Sequence, residues 1–286
     1  MGELAASEEV EAAAGGGAGG AAPADAGAAD RLLRGAVLIA RHRHPLVSEA
    51  DIREQLDDLA VQVAGRLPAD PYPLKVLQTI SAHLHGDRGF CGNKEDYYDP
   101  NNSCINVVLE RRLGIPISLG LVYMQVAQRL GVPMVGVNLP GHFFIAPADP
   151  SYEFFVDAFA GGEISFHQDV EDTLTGIYRR PVRLDPAALA NRQPLPERTF
   201  LARMLSNLKQ IYNLRQSFAE AYAISLYLRA TRPGDLEELR DSGVYLYRLG
   251  RIPECVETLT QFVARAPPGS EDVAKVQALL RALEQR

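Results

Sequence analysis

Through the first half of the chain, apolar positions recur at helical spacing. Arg31 to Ala40 reads as a helix with Asp30 as its cap, and Asp51 to Leu67 repeats the pattern with Ile52, Leu56, Leu59, Val61 and Val63 apolar and Ser48 as cap. Pro71 and Pro73 break the chain before a third helix from Leu74 to His85. After the glycine-rich turn from Gly86 to Gly92, the stripe of Ile105, Val108 and Leu109 marks a short helix from Ser103 to Arg112. Pro116 starts a central helix in which Leu119, Val122, Tyr123, Val126 and Leu130 share a face, and Gly131 with Pro133 stops it. The period then shortens. Strands are predicted over Val135 to Ile145 and Tyr152 to Phe159, closed by Gly161-Gly162, with a short helix and a further strand between Ile164 and Leu184. Helices first and strands after them define an α+β domain.

Pro181, Pro186, Pro194 and Pro196 punctuate the passage into an all-helical tail. There the sequence overlays on itself at an offset of 34: Ala221 on Cys255, Tyr222 on Val256, Leu228 on Phe262, Ala230 on Ala264 and Pro233 on Pro267. That is the period of tetratricopeptide repeats, paired helices that end at a proline. Two copies and a final helix from Glu271 to Leu283 are present. The expected organisation is a disordered tail over 1–30, an α+β domain over 31–185, a Pro-containing linker over 186–198 and helical repeats over 199–286. Tyr212, Arg215, Tyr245 and Arg248 recur on the first helix of each pair and suggest a protein-binding face, with packing of the tyrosines between helices as the other reading.

Composition narrows the function classes. The first 30 residues hold 19 Ala or Gly, six acids and no Lys or Arg, too polar and too small-chained to bury a core. Removing those six acids leaves 30 acids against 29 Lys plus Arg, a net charge near −1 with no global field for nucleic acid. No apolar run approaches the ~18 residues of a membrane span. Neither a secretory signal nor an Arg-rich transit peptide is visible, so an intracellular, cytoplasmic protein is expected, or an organelle stroma if the N-terminus is processed. Three cysteines, Cys91, Cys104 and Cys255, widely spaced and odd in number, suit reduced thiols.

The candidate chemistry lies between Gly114 and Asp157. A hairpin centred between Asp149 and Pro150 would set His142 and Asp157 directly opposite each other. A carboxylate beside an imidazole fixes its tautomer, as the orienting acid of a hydrolase or acyl-transfer triad does. The third member belongs at the start of the preceding helix. That order resembles the transglutaminase-like branch of the papain-type superfamily, where Gly-x-Cys opens a helix that exits through Leu-Gly-Ile-Pro. Gly114 and Leu130-Gly131-Val132-Pro133 match without a gap, and the nucleophile's position is Pro116. A narrower match spans Phe90-Cys91-Gly92-Asn93, Tyr97-Tyr98-Asp99-Pro100-Asn101-Asn102-Ser103, Val108 to Leu119, and Leu139-Pro140-Gly141-His142-Phe143. These runs are similar to the SirB-one family. The resemblance covers Arg31 to the C-terminus and implies a transglutaminase-like domain followed by a tetratricopeptide-like tail, with Gly-Ile-Pro-Ile where active relatives carry Cys.

Each candidate has a structural alternative. His142 and Asp157 are a retained catalytic pair or a buried His with the partner it needs. Cys104, after Ser103 at a helix start, is a substitute nucleophile or core packing, and Cys91 has the same two readings. Ser118 is a nucleophile if a base reaches it, and otherwise a helix-capping residue. Asn93, Tyr97, Tyr98, Asp99 and Asn101 either line a pocket or form Asx-type turns. The pairs His42 with His44 and His83 with His85 lack further ligands at metal spacing, so neither a metal nor a cofactor is expected. The favoured function is a protein-interaction or regulatory protein on a transglutaminase-like domain without its nucleophile, with a protein partner on the tail and neither nucleic acid nor membrane bound. The alternative is an active cysteine or serine hydrolase or acyl transferase using His142 and Asp157.

Overall fold

The computed structural model describes residues 26–139, 142–184 and 195–284. Of the tail expected to be disordered over 1–30, residues 26–30 are helical; residues 1–25, the Pro140-Gly141 step and residues 186–194 of the linker lie outside the described residues. The chain divides into two compact units, the first ending at Phe200 and the second beginning at Leu201.

The first unit is α+β. Its helices α1 (Ala26–Arg41), α2 (Glu49–Ala64) and α3 (Pro73–Ser81) bury the apolar stripes that the spacing requires, among them Leu33, Ala36, Ile52, Leu56 and Leu77. Ser48 caps α2 by accepting from the Asp51 backbone N–H. The expectation for α1 is corrected. The helix starts at Ala26, and Asp30 lies inside it rather than capping it. Ala26, Ala28 and Ala29 are strong helix formers, and the Asp30 carboxylate meets Arg34 at 3.1 Å and Arg53 at 2.5 Å. After α3 the chain winds through a π-type segment, Ala82–Asp87, into a short parallel pairing of β1 (Cys91–Gly92) with β2 (Leu113–Gly114). Between those strands lie a 3₁₀ turn, Pro100–Ser103, and α4 (Ile105–Arg111); α5 (Pro116–Arg129) follows β2.

A four-stranded antiparallel sheet completes the unit in the order β3 (Met134–Leu139), β4 (His142–Pro147), β5 (Phe154–Asp157) and β6 (Glu163–Phe166). Two expectations fail here. The stretch read as one strand from Val135 to Ile145 is the antiparallel pair β3 and β4, with Leu139 opposite His142; a Pro-Gly pair is a turn signal that the apolar run obscured. The segment read as helix then strand is strand then helix, β6 followed by α6 (His167–Tyr178).

Side-chain alternation gives the sheet two different faces. On one, Gly136, Phe143 and Ile145 meet α5 and Phe200, and a Cβ on Gly120 would stand 3.2 Å from both Ile145 and Phe143. On the other, Val137, Phe144, Ala146 and Phe155 form a core with Val170 and Leu174 of α6.

The second unit comprises the rest of α7 (Glu197–Leu214), then α8 (Phe218–Thr231), α9 (Leu236–Arg248), α10 (Ile252–Arg265) and α11 (Glu271–Glu284). Helices α8 and α10 start at Phe218 and Ile252, 34 residues apart. Close approach of α9 to α10 depends on Gly243, where a Cβ would fall 2.4 Å from Leu259. Tyr212 and Tyr245 are 2% and 5% exposed, so they pack between helices rather than form a binding face, and the Arg248 guanidinium covers the Phe218 ring at 5.6 Å.

Phe200 is buried and stands edge-to-face on Phe143 at 5.3 Å. Phe200→Ala is expected to destabilise the first unit by about 3–5 kcal/mol through the cavity it leaves, whereas truncation of exposed Val61 should stay within about 0.5 kcal/mol. Urea unfolding of the full chain checks both.

Candidate active site

Gly114-Ile115-Pro116-Ile117-Ser118, the motif most suggestive of chemistry, is a helix entry. Pro116 occupies the first turn of α5, where its missing N–H leaves nothing unpaired and its φ is already helical. Ser118, fully buried, accepts from the Ile115 backbone N–H at 3.0 Å and donates to the Asn102 carbonyl at 2.6 Å. Its lone hydroxyl proton is thus committed, and among the described residues no imidazole or carboxylate hydrogen-bonds it. Gly114 is required for space, since a Cβ there would lie 2.8 Å from the Ser118 hydroxyl.

Asn102 is the residue that sequence reasoning undervalued. It is fully buried, and its side-chain amide accepts from Asn93 Nδ2 at 3.0 Å and donates to the Asp96 and Tyr97 carbonyls at 2.8 and 3.1 Å. Asn93 in turn receives the Asp96 N–H, and its own N–H binds the Gly114 carbonyl. The polar loop 93–99 is therefore pinned to the entry of α5. Asp99 does form the expected Asx-type turn, accepting from the Asn101 N–H, and also pairs with Arg111 at 2.7 Å. The one sequence signal for Asn102 is a polar residue set next to an apolar stripe, which an Asx-turn reading explains equally well.

His142 and Asp157 do meet, through a register other than the predicted one. Ile145 pairs with Val156, which sets Asp157 across from Phe144 rather than His142. The hairpin is displaced because Asp149 makes its own turn, its carboxylate accepting from the Ser151 N–H and its carbonyl from the Tyr152 N–H. The displacement is even, so both side chains still share a face and reach each other diagonally, with His142 Nε2 2.7 Å from Asp157 Oδ2. Oδ1 accepts from the backbone N–H groups of Phe159 and Ala160, so the carboxylate is fully satisfied. With Nε2 donating to Asp157, the other ring nitrogen of a neutral imidazole is left as acceptor. Among the described residues no thiol or hydroxyl hydrogen-bonds the imidazole. Its ring lies 4.5 Å from Phe144, on the sheet face that α6 covers; α5 packs on the opposite face.

The thiols are placed elsewhere. Cys104 is fully buried against the Pro100 carbonyl, and burial pushes its thiol up to about 12. Cys255 is buried in the second unit, and Cys91 is exposed on β1. His44 binds Asn101 at 3.1 Å, His85 donates from Nδ1 to the Phe90 carbonyl at 2.7 Å, and burial lowers the pKa of both His83 and His85. No group of three or more potential metal ligands occurs among the described residues, and no helix among them is long and apolar enough to cross a membrane.

A family model described as the transglutaminase-like superfamily matches residues 50–206. A UPF0162 protein of Xylella fastidiosa (strain 9a5c) is 33% identical over 243 residues, covering 82% of this chain and 84% of the relative. A UPF0162 protein of Pseudomonas aeruginosa is 29% identical over 64% of this chain and 65% of its own length. F-box only protein 21 of Pongo abelii is 28% identical over 83% of this chain but only 42% of its own. No solved structure matches the chain.

Burial alone would raise the Asp157 pKa, but the hydrogen bond and charge of His142, with the two backbone N–H groups, hold it below the usual value. A depressed carboxylate contributes stability above its unfolded pKa, about 3.9, and loses it as pH falls through the folded value. Asp157→Asn, whose amide cannot accept at both ends, should therefore lower thermal stability at pH 7, at the scale of a charge-assisted bond worth about 1.5–3 kcal/mol. The gap to wild type should close below about pH 4, which melting curves from pH 7 to 3 would measure. Ser118→Ala strands the Ile115 N–H and the Asn102 carbonyl and should cost about 1–3 kcal/mol by urea denaturation.

Proposed function

The chain belongs to the transglutaminase-like superfamily, with the UPF0162 proteins among its relatives, and from that premise we propose that it is a protein-interaction or regulatory module rather than an enzyme. The observation that carries this reading is Pro116 at the first turn of α5. A thiolate there would gain from the helix dipole, and a backbone N–H there would help hold an oxyanion. Proline supplies neither, so one residue removes two catalytic parts. The neighbours offer no replacement: Ser118 is committed to capping and the Cys104 thiol is held protonated by burial.

The His142–Asp157 pair then serves structure, joining β4 to the turn after β5. On this reading the helical second unit, similar in its period to tetratricopeptide repeats as in the SirB-one family, supplies the surface for a protein partner. Its exposed apolar side chains, Leu226 and Tyr227 on α8, suit such a role. F-box only protein 21, which this chain matches over less than half of its length, supports use of the same stretch as a module within a larger protein.

Thiol labelling separates the two functions. With iodoacetamide at neutral pH, Cys91 should react as an ordinary exposed thiol, at a rate unchanged by His142→Ala, and Cys104 should react only on unfolding. Rapid, His142-dependent alkylation of either cysteine would establish an activated nucleophile and replace the proposal by a hydrolase or acyl transferase.

A further inference from the structure

A second concave site lies on the first unit, between α2 and the end of α4. Its volume is about 260 Å³, and it adjoins a larger groove of about 620 Å³ with which it shares Gln55 and Glu110. One wall is apolar, built from the buried side chains of Leu59, Phe90 and Leu109. The remaining lining carries two carboxylates, Asp58 and Glu110, and two guanidiniums, Arg88 and Arg112.

Opposite charges around so small a space ordinarily neutralise one another. Here Asp58, Glu110 and Arg112 face solvent, Arg88 is half-buried, and none of the four forms an ion pair among the described residues. Arg112 gives one N–H to the Arg88 carbonyl at 3.0 Å and keeps the rest of its fork. Arg88 has its Nε buried with no partner, a donor whose desolvation no hydrogen bond offsets. Arg112 also sits in the left-handed region, φ 60° and ψ 24°, at the C-terminus of α4. Glycine relaxes that conformation, whereas a long branched or charged side chain is strained there.

A ligand complementary to this lining brings one charge of each sign and a short apolar group. The cavity is smaller than the roughly 300–1,000 Å³ of sites for drug-sized molecules, which suits a compact zwitterion. We propose that it binds a free α-amino acid with an apolar side chain. The carboxylate lies on Arg88 and Arg112, since planar guanidinium forks match carboxylate geometry. The ammonium lies between Asp58 and Glu110, and the side chain rests on Leu59, Phe90 and Leu109. Nothing in this depends on whether the first unit is catalytic.

Calorimetric titration of the intact chain with L-leucine and L-phenylalanine tests the proposal. At least one should bind and raise the melting temperature, since a ligand of the folded state alone stabilises it by RT ln(1 + [L]/Kd). N-acetyl-leucine, which lacks the ammonium, and leucinamide, which lacks the carboxylate, should each bind at least about tenfold more weakly, a loss of about 1.4 kcal/mol. Arg88→Gln and Asp58→Asn should weaken binding to the same degree, with unliganded melting temperatures close to wild type. If Arg88→Gln fails to fold, Arg88→Lys, which keeps the charge but loses the fork, serves in its place and should weaken binding likewise. Absence of both heat and a melting shift with either amino acid would overturn the proposal. So would equal affinity for either blocked form, which would indicate a peptide terminus or a simple ion, or undiminished affinity in the variants.

Discussion

Much of the first unit's order depends on the buried side chain and carbonyl of Asn102. The carbonyl receives the Ser118 hydroxyl, which in turn holds the first N–H of the entry to α5, while the side-chain amide holds Asn93 and the carbonyls of Asp96 and Tyr97. A buried polar group is costly unless it is hydrogen-bonded, and both side-chain polar atoms of Asn102 and of Asn93 have partners. The network fixes where α5 begins. Ile145 and Phe143 press on Gly120 one turn further on, so the placement of the sheet against α5 follows from it.

That constraint also gives the Gly-x-Pro-x-Ser motif a structural task at each named position. Each residue has a packing or capping task that a catalytic role would disturb. Gly114 makes room for the Ser118 hydroxyl, Pro116 presets the first helical turn, and Ser118 has no proton to give a base. A nucleophile at such an entry needs a group that is reactive because it is under-satisfied, whereas the Ser118 hydroxyl is hydrogen-bonded as both donor and acceptor. The His–Asp pair is equally complete on its carboxylate side, with three donors on two oxygens. Its face of the sheet is the one that α6 covers, away from the face on which α5 packs.

Helices with a caps-and-stripe pattern were legible residue by residue, since Ser48, Pro116 and the apolar faces of α2 and α5 are local properties. The sheet was less legible. An unbroken apolar run hid the hairpin of β3 with β4, and the register between β4 and β5 depended on the backbone hydrogen bonds of Asp149, which residue identity does not reveal. The meeting of His142 with Asp157 could still be anticipated, because an even displacement keeps two residues on one face even when their pairing changes. Asn102 and the charges around the small cavity could not. Their meaning lies in contacts across segments that no periodicity relates.

The same contrast separates the two sites. At the His–Asp pair every donor and acceptor on the carboxylate is met within the chain, so the geometry is stable without a ligand. At the cavity beside α4, one buried donor, Arg88 Nε, has no partner, and the exposed charges of Asp58, Glu110 and Arg112 around it form no ion pair among the described residues. Unsatisfied groups in a folded protein mark either strain or a place for something else. Residue for residue, the motif that most resembles an active site is the more self-sufficient of the two, and the cavity without a recognisable motif is the one that keeps a buried donor unpartnered.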